Sequence, residues 1–109
     1  MHFSPHIAIQ VREYEKAVVF FKDFLKMEIK SYHANETHFK LNNINFYIEN
    51  NPACRTYFEF FTSEMESTIK ELEASGCQAR ETKTPENKKS YLVYTPFGFN
   101  FHLWEKESE

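Results

Sequence analysis

Apolar and polar residues alternate from residue 6 to residue 11. Ile7, Ile9 and Val11 share one face, and His6, Ala8 and Gln10 share the other, which is the two-residue period of a half-buried strand. From residue 14 the period lengthens to that of a helix. Tyr14, Ala17, Val18, Phe21, Phe24 and Leu25 fall on one stripe and predict a helix over 14–26. Three short runs follow at 28–34, 37–41 and 44–49, separated by turns at Asn35 and at Asn42-Asn43, where Asn tolerates positive φ. A new strand over 57–62 puts Phe58 and Phe60 on one face and Tyr57, Glu59 and Phe61 on the other. Ser63 and Glu66 have the spacing of a capping box. Behind them Met65, Ile69 and Leu72 form a helical stripe that Gly76 closes. Strands are predicted over 78–84, 89–95 and 99–104, with a polar loop over 85–89, a turn at Pro96-Phe97-Gly98 and a charged tail over 105–109 that frays.

The second half therefore repeats the plan of the first. His6 and Tyr57 are 51 residues apart, as are Tyr14 and Met65, and the last strands are offset by 55, from Tyr47 to His102. Each half reads β-α-β-β-β, with module 1 over about 4–50 and module 2 over about 55–106. One such module is too small to bury its own apolar face, so the expectation is a single domain over 1–109. Its fold class is α+β, with two βαβββ modules forming a curved eight-stranded mixed sheet around a trough and the helices on the outer face. A ligand cleft is expected where the modules meet.

Composition narrows the function classes. Aromatic residues make up 17% of the chain, through twelve Phe and six Tyr, and only two Gly are present. The net charge is −3 with no basic stripe, which argues against a nucleic-acid partner. No apolar run is long enough to span a membrane, and the N-terminus lacks the pattern of a signal peptide, so a cytoplasmic location is expected. Cys54 and Cys77 lack paired spacing and read as two reduced thiols.

The opening HIAIQV-REYEKAVVFFKDFLKMEI and the closing TPFGFNFHLWE resemble the vicinal oxygen chelate superfamily, the group of glyoxalase I, bleomycin-resistance proteins and extradiol dioxygenases. The resemblance covers nearly the whole chain and implies the glyoxalase/bleomycin-resistance fold. In metal-using members the ligands come from the first and last strands of both modules. Those four places correspond here to His6, Tyr47, Tyr57 and His102. The family usually has Glu at the last place and His, Gln or Glu at the second and third. A Gly common after the first helix is replaced by Lys26.

Two imidazoles suit Zn, Fe, Mn or Ni, but a catalytic divalent centre takes three protein ligands. Neutral Tyr, with a pKa of about 10, is a poor one. Glu59 lies one pleat repeat from Tyr57 and is the candidate third ligand or general base. The wider trough face carries Gln10, Asn45, Glu49, Phe61, Asn100 and Trp104 as well. Tyr47, Tyr57, Phe61 and Trp104 are positioned to stack on a flat ligand or hold a cation, unless they pack against one another or against a partner chain. Glu49 and Glu59 favour a basic or hydrogen-bond-donating ligand. His2, His33 and His38 match no ligand place and are expected at the surface or in turns. The stretch 81–89 reads as a solvated loop and edge strand that could close as a lid.

Three functions fit. The favoured one is a binding protein of the bleomycin-resistance type, without a cofactor, that sequesters a flat aromatic or cationic compound through His6, Tyr47, Glu49, Tyr57, Glu59, Phe61, His102 and Trp104. The alternative is a lyase, isomerase or dioxygenase in which His6 and His102 hold a divalent metal, Glu59 assists, and the substrate offers vicinal oxygens. The third is an accessory domain for a partner protein. A homodimer is expected, because the family commonly pairs four modules and the aromatic excess leaves apolar surface to cover.

Overall fold

The computed structural model describes residues 1–83 and 88–106. Residues 84–87, which include the end of the predicted strand over 78–84 and much of the predicted lid, lie outside the described residues. So do residues 107–109 of the predicted fraying tail. The order of elements is β1 (His2–Val11), α1 (Tyr14–Asp23), β2 (Glu28–Tyr32), β3 (Glu36–Leu41), β4 (Ile44–Asn50), β5 (Thr56–Thr62), α2 (Met65–Ala74), β6 (Gln78–Thr82), β7 (Ser90–Tyr94) and β8 (Asn100–Glu105). Eight strands of mixed direction and two helices make the α+β class. The two helices start 51 residues apart, as the repeat predicts.

The chain divides into two compact units, Pro5–Thr56 and Met1–Ser4 with Tyr57–Glu109. In the first unit the strand order is β2-β3-β4-β1, with β1 parallel to β4 and the other pairs antiparallel. In the second the order is β6-β7-β8-β5, with β5 parallel to β8 and the other pairs antiparallel. Each parallel pair follows from the helix, because a strand that enters a helix needs a crossover before it meets its parallel partner.

Each unit has its own core beneath its helix. In the first, Tyr14 and Val18 of α1 pack with Phe39 and Ile48, and Ile9, Val11 and Phe21 close around them. In the second, Met65 of α2 packs with Val93, Phe101 and Leu103, joined by Phe58, Phe60 and Leu72. The odd-numbered face of β1 and the Phe58/Phe60 face of β5 thus turn toward the helices, as their alternation predicts. One polar contact lies inside the first core, where the Tyr14 hydroxyl is 2.5 Å from the buried Thr37 Oγ1 and donates to the His33 carbonyl at 2.6 Å.

Three local readings are corrected. β1 begins at His2, not residue 6, because Phe3 continues the odd-numbered apolar alternation across Pro5. The helix predicted over 14–26 stops at Asp23. The Met27 N–H turns back to the Phe21 carbonyl at 3.1 Å, which puts Lys26 in the left-handed region at φ 59°. The Ser63/Glu66 capping box does not form, and α2 has no side-chain cap. Instead Thr62 Oγ1 accepts from the Glu64 N–H at 3.2 Å and sits 2.9 Å from Thr68 Oγ1. β5 ends on Thr62, whose hydroxyl reaches the entering turn before Ser63 can.

Candidate functional site

The face of the first unit opposite α1 is built from β1, β4 and β3. His6 pairs with Asn45, Ala8 with Tyr47, and Gln10 with Glu49. On the far side of β4, Tyr47 pairs with His38 and Glu49 with Glu36. Ala8 leaves room beside Tyr47, and two histidines fill it. His38 stacks on the Tyr47 ring at 4.6 Å between centroids and 14°, and His6 lies at 5.7 Å and 25°. The Tyr47 hydroxyl is 3.0 Å from His6 Nδ1, so His6 reaches it diagonally rather than as a direct neighbour. His38 Nε2 is 2.8 Å from Asn45 Oδ1. The expectation that His38 is a surface or turn residue is therefore corrected: it stands in the middle of β3, half-buried against Tyr47. Burial raises the Glu49 carboxyl above its ordinary pKa, the Glu36 charge adds to this, and a hydrogen bond from Gln10 opposes it.

The corresponding face of the second unit has different contents. Ser4, on the part of β1 that belongs to this unit, donates to Glu59 Oε2 at 2.5 Å. Glu59 pairs directly with His102, and Phe61 with Trp104. The His102 and Trp104 rings lie 4.4 Å apart. His102 Nε2 and Trp104 Nε1 are both buried and have no hydrogen-bond partner among the described residues. Burial pushes the His102 imidazole below its ordinary pKa, and the Glu59 charge only partly offsets this. Phe61 already carries a stacked His2 at 5.6 Å, with the Lys106 ammonium 4.8 Å from its centroid. His2 is exposed, as expected of a surface residue, and it lies at the start of β1. Tyr57 is buried and has its hydroxyl 2.9 Å from that of Tyr94. A cleft of about 310 Å3 opens on this face, lined by Ser4, Glu59, Phe61, Trp104, Lys88 and Lys106 among others.

Each predicted residue can now be placed. His6, Tyr47 and Glu49 belong to the first unit, and Tyr57, Glu59, Phe61, His102 and Trp104 to the second. Ser4, Lys88 and Lys106 escaped the sequence reading. The signal for Ser4 was present in the alternation running back to Phe3. Lys106 continues the even-numbered face of β8, since its N–H still bonds the Thr62 carbonyl at 2.9 Å.

The four places that would hold a divalent metal offer two imidazoles and two phenols. Both phenol hydroxyls already meet protein partners, His6 and Tyr94. Glu59 is held by Ser4. Among the described residues, no group of three or more His, Cys, Asp or Glu side chains could hold a metal ion. These residues do not fit a catalytic divalent centre, which needs three. What they offer is aromatic surface from Phe61 and Trp104 and a rim of mixed charge. No helix among the described residues is long and apolar enough to cross a membrane.

No protein-family model and no curated protein matches the chain. Solved structures do. A glyoxalase/bleomycin resistance protein/dioxygenase superfamily member from Vibrio splendidus is 15% identical, with a TM-score of 0.68 over 92% of this chain and 96% of that one. Homoprotocatechuate 2,3-dioxygenase from Brevibacterium fuscum, in complex with 3,4-dihydroxyphenylacetate, is 16% identical with a TM-score of 0.68 over 96% of this chain, which spans 36% of the dioxygenase. The Mn(II)-bound glyoxalase from Novosphingobium aromaticivorans is 16% identical with a TM-score of 0.63 over 94% of this chain and 38% of that one. At these identities the likeness speaks to architecture alone, and it agrees with the paired βαβββ order: the chain has the fold of the vicinal oxygen chelate superfamily.

Proposed function

We propose that this protein binds a flat aromatic or cationic small molecule and needs no resident metal to do so. The observation that carries this reading is the cleft of about 310 Å3 that Phe61 and Trp104 line beside Glu59, Lys88 and Lys106. The rings of Tyr47 and Tyr57 are engaged with other side chains and do not line this cleft, whereas Trp104, which packs against His102, does.

Trp104 is the only tryptophan. Its fluorescence should therefore respond to a bound aromatic compound, and Trp104→Ala should weaken binding by about 1–3 kcal/mol. Elemental analysis of the purified protein tests the metal-free part. Stoichiometric Fe, Mn, Ni or Zn, lost in a His6→Ala/His102→Ala double variant, would overturn the reading. The divalent-metal lyase, isomerase or dioxygenase acting on vicinal oxygens would then take its place. The proposal includes a homodimer, supported by exposed Val19, Phe20, Phe24 and Leu25 on and after α1. Sedimentation showing only monomer at tens of micromolar would remove that part.

A further inference from the structure

The outward side of α1 carries a pattern that a second copy of the same helix completes, granted that the chain dimerises as proposed above. Lys16, Phe20, Asp23 and Phe24 recur at three- and four-residue spacing and are all exposed, away from the Tyr14/Val18 stripe that enters the core. Phe24 projects furthest. It is 74% exposed, and its ring stacks on Phe20 at 5.6 Å and 25°. Toward the start of the helix the same side has a hollow. A cleft of about 500 Å3 opens there, with Val11, Ala17 and Phe20 as its apolar wall and Arg12, Lys16 and Cys54 beside them.

One stripe thus bears an aromatic knob and an anion near its end, and an apolar hollow and a cation near its beginning. In two helices packed antiparallel about a two-fold axis, the end of each meets the beginning of the other, and every contact occurs twice. With the axis beside Phe20, Phe24 comes level with Ala17 of the second copy, and Asp23 with its Lys16, each to within about 1.5 Å, the rise of one residue. Lys16 Nζ contacts Glu13 at 3.2 Å, but both side chains are largely exposed. Such a pair contributes little and does not keep the ammonium from a second carboxylate. An unrelated partner would require only an apolar patch. Reciprocal placement of knob with hollow, and of cation with anion, is what a surface that meets itself requires.

From this placement we infer that α1 is an isologous dimer interface. Two copies of α1 pack antiparallel across Phe20, each Phe24 enters the other copy's cleft beside Ala17, and each Lys16 faces the other copy's Asp23.

Sedimentation equilibrium of the full-length protein tests this and separates it from the homodimer reading on which it rests. Phe24→Glu should raise the dimer dissociation constant at least about thirtyfold, as loss of an interface hot spot does. Lys16→Glu and Asp23→Lys should each raise it at least about fivefold, because each brings like charges together twice. Mixed in equal amounts, these two variants should dimerise about as tightly as the original protein. The mixed dimer pairs the new glutamate with the new lysine, and the original lysine with the original aspartate. The mixture is its own control for folding, since each variant must be folded to rescue the other. A dimer that Phe24→Glu leaves intact, or a mixture that associates no more tightly than its components, would overturn the inference and leave the homodimer standing. Monomer alone at tens of micromolar would overturn both and leave the α1 face to a different protein.

Discussion

The two modules place different chemistry at equivalent positions. Where the first has Ala8 beside Tyr47, the second has Glu59 beside His102. Where the first has Gln10 beside Glu49, the second has Phe61 beside Trp104. In the first module the small Ala8 lets His6 and His38 close on Tyr47, so the polar face satisfies itself through His6, Tyr47, His38 and Asn45. In the second module the bulk sits on both strands, and two ring nitrogens are buried without hydrogen-bond partners among the described residues. A repeated scaffold thus carries a hydrogen-bonded network on one face, and on the other a pair of buried ring nitrogens without hydrogen-bond partners among the described residues. The difference lies in the side chains of two strands, because the register beneath them follows the same plan.

If the scaffold is equivalent and only the faces differ, mutations beneath the helices should have matching effects. Ile48 and Leu103 stand at the same place in the two modules, 55 residues apart, and both are fully buried. Ile48→Ala and Leu103→Ala should each cost about 2–5 kcal/mol, as buried aliphatic truncations do. Urea unfolding of the two variants gives the comparison directly. A cost near zero at one site and several kcal/mol at the other would show that the modules do not share the load.

A smaller effect should separate the cores. Tyr14 opens α1 with a hydroxyl that meets the buried Thr37 and the His33 carbonyl, whereas its counterpart Met65 opens α2 with no polar group. Tyr14→Phe leaves Thr37 without that partner and should cost about 1–3 kcal/mol. Met65→Leu, which removes no hydrogen bond, should cost under about 1.5 kcal/mol. Equal losses in denaturation midpoint would mean that the Tyr14 hydroxyl contributes nothing beyond its ring.

The repeat, the element order and the side of each strand that meets a helix were legible in the sequence, because periodicity records burial. The 51-residue offset between Tyr14 and Met65 located both helix starts. The state of the aromatic rings was less accessible. Tyr47, Tyr57, Phe61 and Trp104 all occur at positions that alternation turns away from the helices, yet alternation says nothing about what lies across the ladder. The engagement of Tyr47 depends on diagonal contacts from His6 and a cross-strand contact from His38. That of Tyr57 depends on Tyr94, 37 residues away. Such contacts need the register, which turns and strand ends set and composition does not. Pro5 hid the start of β1 for a related reason: a proline reads as a strand boundary, although it is tolerated where no ladder bond is required of its nitrogen. With β1 shortened, Ser4 and its bond to Glu59 could not be foreseen.

The pH response should also divide the two faces. His102, which stands where the first module has Tyr47, is held below the ordinary imidazole value chiefly by burial. The unfolded chain therefore takes up a proton at this histidine before the folded chain does. Stability from this site is complete above the unfolded value of about 6.5. It is lost as the pH falls through the lower folded value. His102→Asn should flatten the loss of stability in that window, measured as unfolding free energy between mildly alkaline and mildly acidic buffer. Glu59→Gln removes the charge that partly supports the imidazolium, so the His102 pKa in an NMR titration should drop further. A rise would mean that the Glu59 charge does not support the imidazolium.

The smallest predicted change concerns the ends of the two helices. α2 is followed by Gly76 at φ 94°, a conformation glycine adopts without strain, and an added Cβ would meet only Pro96 Cγ at 3.7 Å. α1 is followed by Lys26 at φ 59°, where a side chain is present and the left-handed region costs about 1–2 kcal/mol. Lys26→Gly relieves that strain but gives the unfolded chain more freedom to lose, about 0.4–1 kcal/mol. The net should be a gain of about 0.5 kcal/mol. Gly76→Ala should go the other way by about 1 kcal/mol, since the backbone conformation, and not the space around the new methyl, is what resists it. The two variants together test whether both helices end by the same left-handed turn. If Lys26→Gly destabilised the protein, the first helix would owe its ending to contacts of the lysine stem, and the likeness between the modules would stop at the helix starts.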